Sequence, residues 1–377
     1  MRLLYVIDSL APGGAETSLV AMAPGLVRRG IDLHVLPLGS RRDLARDLEA
    51  AGATVHARTR RPGRLASIQT VLDVAREVRP DLIHTTLYES DVTGRIAARI
   101  LRIPTSTSIV NDSYGAAHYR ESNRTKLHTA RALDAATSIF AIRFHSITAA
   151  IADNVGSRLG IPRDKITVIP RGRDPEKYPF RSPEVRQRVR EDLQIPEGAP
   201  VVLSVARHEP QKGLHHLLEA TSHLASNHPS VVVLLAGKEG RSSGALQAQA
   251  QDIEADIRFL GHRTDIAELL AASDVFCFPS EREGFGGVLI EAMAVGCPIV
   301  ASAIPTSLEV LGPGDDACAM LTPVADPPDI ARAIDTLLTD PPLAGRLART
   351  GRERFDRQYA IHSVTDKMAD FFIKAAT

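Results

Sequence analysis

The stretch Phe278-Pro279-Ser280-Glu281-Arg282-Glu283-Gly284-Phe285-Gly286-Gly287-Val288-Leu289-Ile290-Glu291-Ala292-Met293-Ala294 decides the fold. An apolar β-type run ends at Pro279, a glycine-rich turn follows, and a helix is expected to begin near Gly287. Strand, glycine turn and helix in succession form the unit of a parallel sheet covered by helices. The first N–H groups of such a helix have no intrahelical acceptor and carry partial positive charge, which suits a phosphate. Glu283 before the turn and Glu291 inside the helix can both point to the strand ends. Carboxylates there accept hydrogen bonds from sugar or ribose hydroxyls. Taken as a bare spacing, two acids around a glycine turn fit a solvated surface equally well, so the rest of the chain must decide.

Outward from this segment the same alternation recurs. Short β-type runs are expected at 3–7, 33–37, 54–57, 82–84, 105–109, 138–141 and 166–169. The cycle restarts at 201–205 and continues through 231–236, 257–260, 275–279 and 298–302. Helical spacing of apolar residues marks 16–29 and 65–79, and the last segment, about 352–375, reads as one helix. Two such series predict an α/β protein of two doubly wound, Rossmann-like domains. The joint is expected in the loop-rich stretch 170–200. Ligands of open α/β sheets bind at the carboxyl ends of the strands, so function is expected in a cleft that two such sheets face.

Composition narrows the partners. The 377 residues suit two cores better than one, and the chain has no net charge, no Trp and only 4% aromatic residues. That argues against nucleic-acid partners that stack bases on aromatic platforms. Residues 1–180 hold about 26 Lys and Arg against about 18 acids, a surplus of about eight that the remainder reverses. A basic half fits an anionic or peripherally membrane-associated acceptor, and equally fits arginine used for solubility. Cys277, Cys297 and Cys318 form no metal spacing, a reduced pattern that points to the cytoplasm. The apolar run after Met1 meets Asp8 and a Gly pair too early for a signal peptide, and no apolar stretch approaches a membrane span.

A second element follows the first strand of the second half, Val205-Ala206-Arg207-His208-Glu209-Pro210-Gln211-Lys212-Gly213. Arg207 and Lys212 flank a loop that opens into a helix, an arrangement that suits a diphosphate and the charge developing on a leaving one. A third, Pro12-Gly13-Gly14-Ala15-Glu16, lets backbone approach a ligand closely, and it is not the dinucleotide fingerprint.

In this order and separation the three elements resemble the retaining glycosyltransferases of family 4, which have the GT-B fold. Val168-Ile169-Pro170-Arg171-Gly172-Arg173-Asp174 is similar to the family's passage into its second domain. Glu283-Gly284-Phe285-Gly286 through Glu291-Ala292 matches its pair of glutamates eight positions apart, and Gly296 through Ser302 the strand that follows. The resemblance implies an N-terminal acceptor domain at 1–175, a nucleotide-sugar domain at 176–355, and a helix at 356–377 returning to the first domain. It implies that Arg207 and Lys212 hold the donor diphosphate, Glu283 the sugar hydroxyls and Glu291 the ribose. Backbone at Gly284, Phe285, Gly286 and Gly287, with Gly14 from the first domain, would close around the phosphates, and the base would lie near Gly261 and His262. The donor is expected to be UDP-linked, with no metal or other cofactor required.

One departure stands out. Where the family often carries a His after the strand at 105–110, this chain has Asn111, which cannot act as acid or base. Asp112 and His118 are the remaining candidates there, each with the alternative of an ordinary loop residue. The leading expectation is a retaining transferase acting on a hydroxylated acceptor. A non-catalytic nucleotide-sugar-binding partner, or an epimerase or phosphorylase on the same fold, are the alternatives. Acceptor loops are expected near Gly13, Tyr88-Glu89 and 111–124, and a cationic acceptor would need acids such as Glu89, Asp91, Asp112 and Glu121.

Overall fold

The computed structural model describes residues 1–58, 63–115 and 124–377. The chain divides into two compact units, residues 1–172 with 360–377, and residues 173–359. The first is built on seven strands: β1 (Arg2–Ile7), β2 (Asp32–Pro37), β3 (Thr54–Val55), β4 (Leu82–Thr86), β5 (Thr105–Ile109), β6 (Arg143–Ser146) and β7 (Ile166–Val168). Their order is β3-β2-β1-β4-β5-β6-β7. The second unit holds β8 (Val201–Val205), β9 (Val232–Ala236), β10 (Asp256–Gly261), β11 (Val275–Phe278), β12 (Ile299–Ser302) and β13 (Met320–Thr322), in the order β10-β9-β8-β11-β12-β13.

Every pairing is parallel, and both sheets are doubly wound. The chain winds outward from the central strand one way and then returns to lay β4 beside β1, or β11 beside β8. At each reversal the two following loops diverge to opposite faces and leave a crevice at the strands' carboxyl ends.

Side-chain alternation assigns the faces of the first sheet. Leu3, Tyr5 and Ile7 pack with Leu19, Met22 and Leu26 of helix Gly14–Arg28 and with Phe371 and Phe372 of helix Ile361–Ala376. Leu4 and Val6 face the opposite way, onto Val71, Val74 and Val78 of helix Arg64–Val78. In the second unit Val202, Val233, Leu235, Cys277 and Val300 pack on Leu217, Leu218 and Ile334. Burial pushes the Cys277 thiol up, and that of Cys297 to about 12, so neither is a nucleophile.

Three expectations need correction. The run at 138–141 is not a strand: helix Arg124–Ser138 ends there, closed by the Ser138 hydroxyl donating to Ala135 O at 2.8 Å. Pairing with β5 starts only at Arg143, opposite Ser106, and the apolar run that imitated a strand leaves Ile139 exposed. The final segment is two helices, Pro341–Gln358 and Ile361–Ala376, because the chain leaves one unit for the other at 359–360, where Ala360 is extended. The division between the units falls at 172–173, inside the expected stretch 170–200, but that stretch also carries a helix, Pro183–Asp192, whose Arg186 and Arg190 clasp Asp274 at 2.5 and 2.6 Å.

β5 breaks the rule that central parallel strands are apolar: Thr105-Ser106-Thr107-Ser108 is wholly buried. Each hydroxyl is matched across the sheet. Ser106 and Ser108 flank His84 of β4 at 2.8 Å each, and Ser108 meets His145 Nδ1 of β6 at 2.8 Å. His145 Nε2 lies 2.8 Å from the Ile169 carbonyl oxygen, which only accepts. Nε2 therefore donates, and the direction of the whole chain follows. Ser108 donates to His145 Nδ1, His84 Nε2 donates to Ser108, and Ser106 donates to His84 Nδ1. This direction holds for two neutral imidazoles, the form that burial beneath Phe371 and Phe372 favours.

Burial holds the His145 pKa down from its ordinary 6.5 to about 4, and burial together with His145 holds that of His84 well below 6.5. The stability these groups contribute is complete above pH 6.5 and is lost as pH falls toward 4, because the unfolded chain takes up the protons first. Thermal melting followed from about pH 7 to about pH 4.5 should show this loss. A triple variant His84→Leu, Ser108→Ala, His145→Leu should lose less over the same range, and equal slopes would exclude the buried imidazoles as its source.

Candidate functional site

The second unit's reversal lies between β8 and β11. Beyond β8 the chain runs through Arg207, which is exposed, to a short turn Pro210–Lys212 and then into helix Leu214–Ala225. Gly213 makes that junction with φ +64°, and a Cβ there would lie 2.0 Å from Pro279 O at the end of β11. Glu281 N also donates to Gln211 O at 3.0 Å, so backbone joins the two loops.

Side chains complete the join. Lys212 Nζ donates to Glu283 Oε1, with both side chains less than a fifth exposed. Ser280 Oγ donates to the same oxygen at 3.4 Å, and Thr306 Oγ1 donates to Glu283 O at 2.8 Å. One carboxylate oxygen of Glu283 is thus held by two donors, and its backbone carbonyl by a third.

Gly286, with φ +71°, is the N-cap of helix Gly287–Val295, and no side chain caps that helix. Its first N–H groups are left facing the crevice loops, which is the anion-binding geometry of a helix start. Phe285 is buried beside Tyr359 at a ring separation of 6.3 Å and anchors the turn. Glu291 is also buried, and its Oε1 accepts from Arg173 Nε at 2.7 Å. A Cβ on Gly287 would meet Arg173 Nη2 at 2.6 Å, so that glycine makes room for the guanidinium. The sequence assigned Arg173 no role. Its signal was the second of the two arginines in the 168–174 motif, and only the tertiary contact shows what it serves.

Gly261 closes β10, and His262 after it is exposed. Gly237 N donates to Gly261 O at 2.7 Å, while a Cβ on Gly237 would sit 1.8 Å from Ala206 O. The 261–262 loop is thereby tied to the loop carrying Arg207. Arg207, Lys212, Gly261, His262, Glu283 to Gly287 and Glu291 all lie at or beyond the carboxyl edge of one sheet. His215, His216 and Glu281 beside them bring potential metal-ligating atoms within 4.8 Å of one another. His216 Nε2 and Glu281 Oε1 lie 3.2 Å apart, an ordinary imidazole–carboxylate contact.

The first unit has its own reversal, between β1 and β4. Gly14 opens helix Gly14–Arg28, and a Cβ there would lie 2.4 Å from Arg171 Nη1. Asp8, just past β1, accepts from Ser90 N at 2.7 Å and Ser90 Oγ at 2.6 Å. It caps helix Tyr88–Leu101, whose own N-cap Leu87 has φ +79° and offers no side-chain bond. Asn111 and Asp112 lie exposed after β5, and Arg158 Nη1 donates to Asp112 Oδ1 at 2.5 Å. His118 lies outside the described residues.

Behind these loops a cavity of about 260 Å³ is lined by Asp8, Tyr88, Asp91, Arg95, Asn111 and Tyr114 among others. Its floor is a buried polar cluster that the sequence did not single out. Arg95 Nη1 donates to Asp134 Oδ1 at 2.6 Å, Arg95 Nε to Thr107 Oγ1 at 2.9 Å, and Tyr114 OH to Asp134 Oδ2 at 2.8 Å. Asp91 stands 3.9 Å from Arg95, and burial raises its pKa to about 8.

Two doubly wound units, one with a lysine–glutamate pair beside an uncapped helix start at its reversal, have the architecture of the GT-B sugar transferases. The chain belongs to that class through glycosyltransferase family 4. The model described as Glycosyltransferase Family 4 matches residues 12–177, and that described as Glycosyl transferases group 1 matches residues 185–354.

Among relatives, the lipopolysaccharide core biosynthesis glycosyltransferase LpsE of Rhizobium meliloti is 33% identical over 179 residues, 47% of this chain and 51% of that one. The matched stretch thus spans about half of that relative's length. The D-inositol 3-phosphate glycosyltransferase of Xylanimonas cellulosilytica is 25% identical over 96% of this chain and 92% of its own. Among solved structures, Anabaena HepE in complex with UDP has a TM-score of 0.84 at 25% identity, over 99% of this chain and 100% of that one. No helix of the described residues is long and apolar enough to cross a membrane.

Gly213→Ala tests the loop junction. The left-handed backbone and the collision with Pro279 O should cost about 1–3 kcal/mol, read as a lower unfolding midpoint. An unchanged midpoint would mean that the turn relaxes without loss.

Proposed function

We propose that this chain is a retaining glycosyltransferase that moves a sugar from a nucleotide-diphosphate donor, UDP-linked, to an acceptor hydroxyl. The observation that carries the reading is the Lys212–Glu283 pair held at the β8/β11 reversal beside the uncapped helix start at Gly287. It gives the two complementary groups that a sugar diphosphate asks for, a cation for phosphate and a carboxylate for hydroxyls, in one place. HepE, 25% identical over nearly its whole length, is described in complex with UDP and with UDP-glucose, which favours UDP.

In this scheme Lys212 exchanges Glu283 for the donor's diphosphate, with Arg207 and the N–H groups at Gly287 as further donors. Glu283, released, accepts from the sugar hydroxyls. Glu291, held by Arg173, is presented to the ribose, and the base lies by Gly261 and His262. Cleavage of the anomeric carbon–phosphate oxygen bond leaves negative charge on the departing diphosphate, where fixed cations and helix N–H groups stabilise it. The acceptor oxygen bonds to the anomeric carbon on the same face, and its proton passes to the departing phosphate oxygen. That route asks for positioning rather than a protein base, so Asn111 is compatible with turnover. Side chains and a helix terminus supply the charge, and the scheme routes no step through a metal. The acceptor binds the first unit.

Asn111, together with the engagement of Asp112 by Arg158, is what favours the second reading, a nucleotide-sugar-binding partner without turnover. Incubation with UDP-glucose, with UDP release measured alone and with hydroxylated acceptors, separates the two. Turnover is expected in the wild type, with Lys212→Ala lowering kcat by about 100-fold or more. UDP binding without any release of UDP would favour the second reading, and neither binding nor release of UDP or GDP would sink both.

A further inference from the structure

The cavity at the first unit's reversal contains one atom that the fold leaves unanswered. Asp91 is more than nine-tenths buried, and among the described residues its Oδ1 has no hydrogen-bond partner. A buried carboxyl oxygen without a partner is costly, and native structures answer such groups with protein, ordered water or a ligand. Arg95 does not answer it. That guanidinium is committed to Asp134 at 2.6 Å and Thr107 at 2.9 Å, and its nearest approach to Asp91 is 3.9 Å, to the other oxygen. Tyr114 is committed as well, through its hydroxyl to Asp134. It holds φ +64° beside the cavity, a conformation unusual for a tyrosine.

The charges around this space exclude one ligand class. Asp134 cancels Arg95, which leaves Asp8 and Asp91 as the carboxylates lining the cavity, and burial raises the pKa of both. Among the described residues an anionic group would find no free cation on the lining, and burying its charge there would oppose ionisation of both acids. A group bearing O–H or N–H hydrogens would instead supply what Asp91 Oδ1 lacks.

We propose that this cavity is an acceptor subsite that takes a neutral or amino-substituted polyol, whose hydroxyl or ammonium hydrogens are accepted by Asp91 and Asp8, and that it refuses phosphorylated sugars. The inference rests on the reading that the first unit carries the acceptor. It adds the acceptor's chemistry and the residue that selects it. Asp91 and Asp8 lie beyond β4 and β1, the two strands of the reversal, and Asn111 beyond β5 closes the same rim. Three arginines in and near the cavity are paired with acids: Arg64 with Glu89, Arg158 with Asp112 and Arg95 with Asp134.

The test is titration calorimetry of the full chain with three probes, myo-inositol, glucosamine and glucose 6-phosphate, and separately with UDP. The expected result is binding of the first two and none of the third. Asp91→Asn, which keeps the size of the side chain, should weaken glucosamine binding about tenfold or more, the loss of one charge-assisted hydrogen bond. Ser113→Phe, at the cavity wall, should block both probes even if Asp91→Asn proves unstable. Glucose 6-phosphate binding as well as glucosamine, unchanged affinity in Asp91→Asn, or no polyol binding at all would each overturn the proposal. UDP binding is read apart from this. Loss of UDP binding with polyol binding intact would remove the transferase reading and leave the polyol site standing.

Discussion

The structure depends on one constraint, the single reversal of winding in each parallel sheet. A parallel strand can be followed only by a crossover, and right-handed crossovers lay helices on one face until the chain returns past its starting strand. At that point neighbouring strands send their loops to opposite faces, and their carboxyl ends stay uncovered. In the second unit this places the loop after β8 beside the loop after β11. The residues that meet there, Lys212 and Glu283, are 71 positions apart in the chain. In the first unit it places Asp8 beside Ser90, and a carboxylate from one strand end caps the helix that follows the other.

Glycines carry this arrangement more than catalytic side chains do. Gly213 and Gly237 exist because carbonyls of Pro279 and Ala206 occupy the space a side chain would need. Gly287 gives way to Arg173, and Gly14 to Arg171. A glycine-rich turn in sequence invites a phosphate-binding reading, and here some of the glycines are equally explained by protein groups packed against them. Removing the hydrogen of such a glycine in favour of a methyl group thus disturbs the loop before it disturbs any ligand.

The two units build their interiors differently. The second has an apolar sheet core of ordinary composition. The first runs a polar strand, β5, through its centre, with one face satisfied through His84 and His145 and the other through Arg95, Asp134 and Tyr114. A fully answered polar interior specifies geometry more narrowly than an apolar one, because each donor must meet its acceptor. Breaking the buried Arg95–Asp134 pair would leave an uncompensated charge at a cost of about 3–5 kcal/mol. Asp91 is the member of this interior left incompletely answered, and it faces a cavity.

The alternation of short apolar runs, glycine turns and amphipathic segments determined the α/β class, the two doubly wound sheets and the loops that hold the site, because local periodicity reports which faces are buried. The same sequence misplaced a strand at 138–141, where an apolar run after a helix imitated one, and it ran two terminal helices together. Their break comes from the chain changing units and leaves no local mark. Glu283, Glu291, Arg207 and Lys212 were legible as chemistry because acids and cations near glycine turns are uncommon enough to notice. Their partners were not. Whether Glu291 meets Arg173, whether Lys212 meets Glu283, and which oxygen of Asp91 stays unpaired depend on contacts between segments tens of residues apart. Such contacts are set by packing and register, which only the tertiary structure decides.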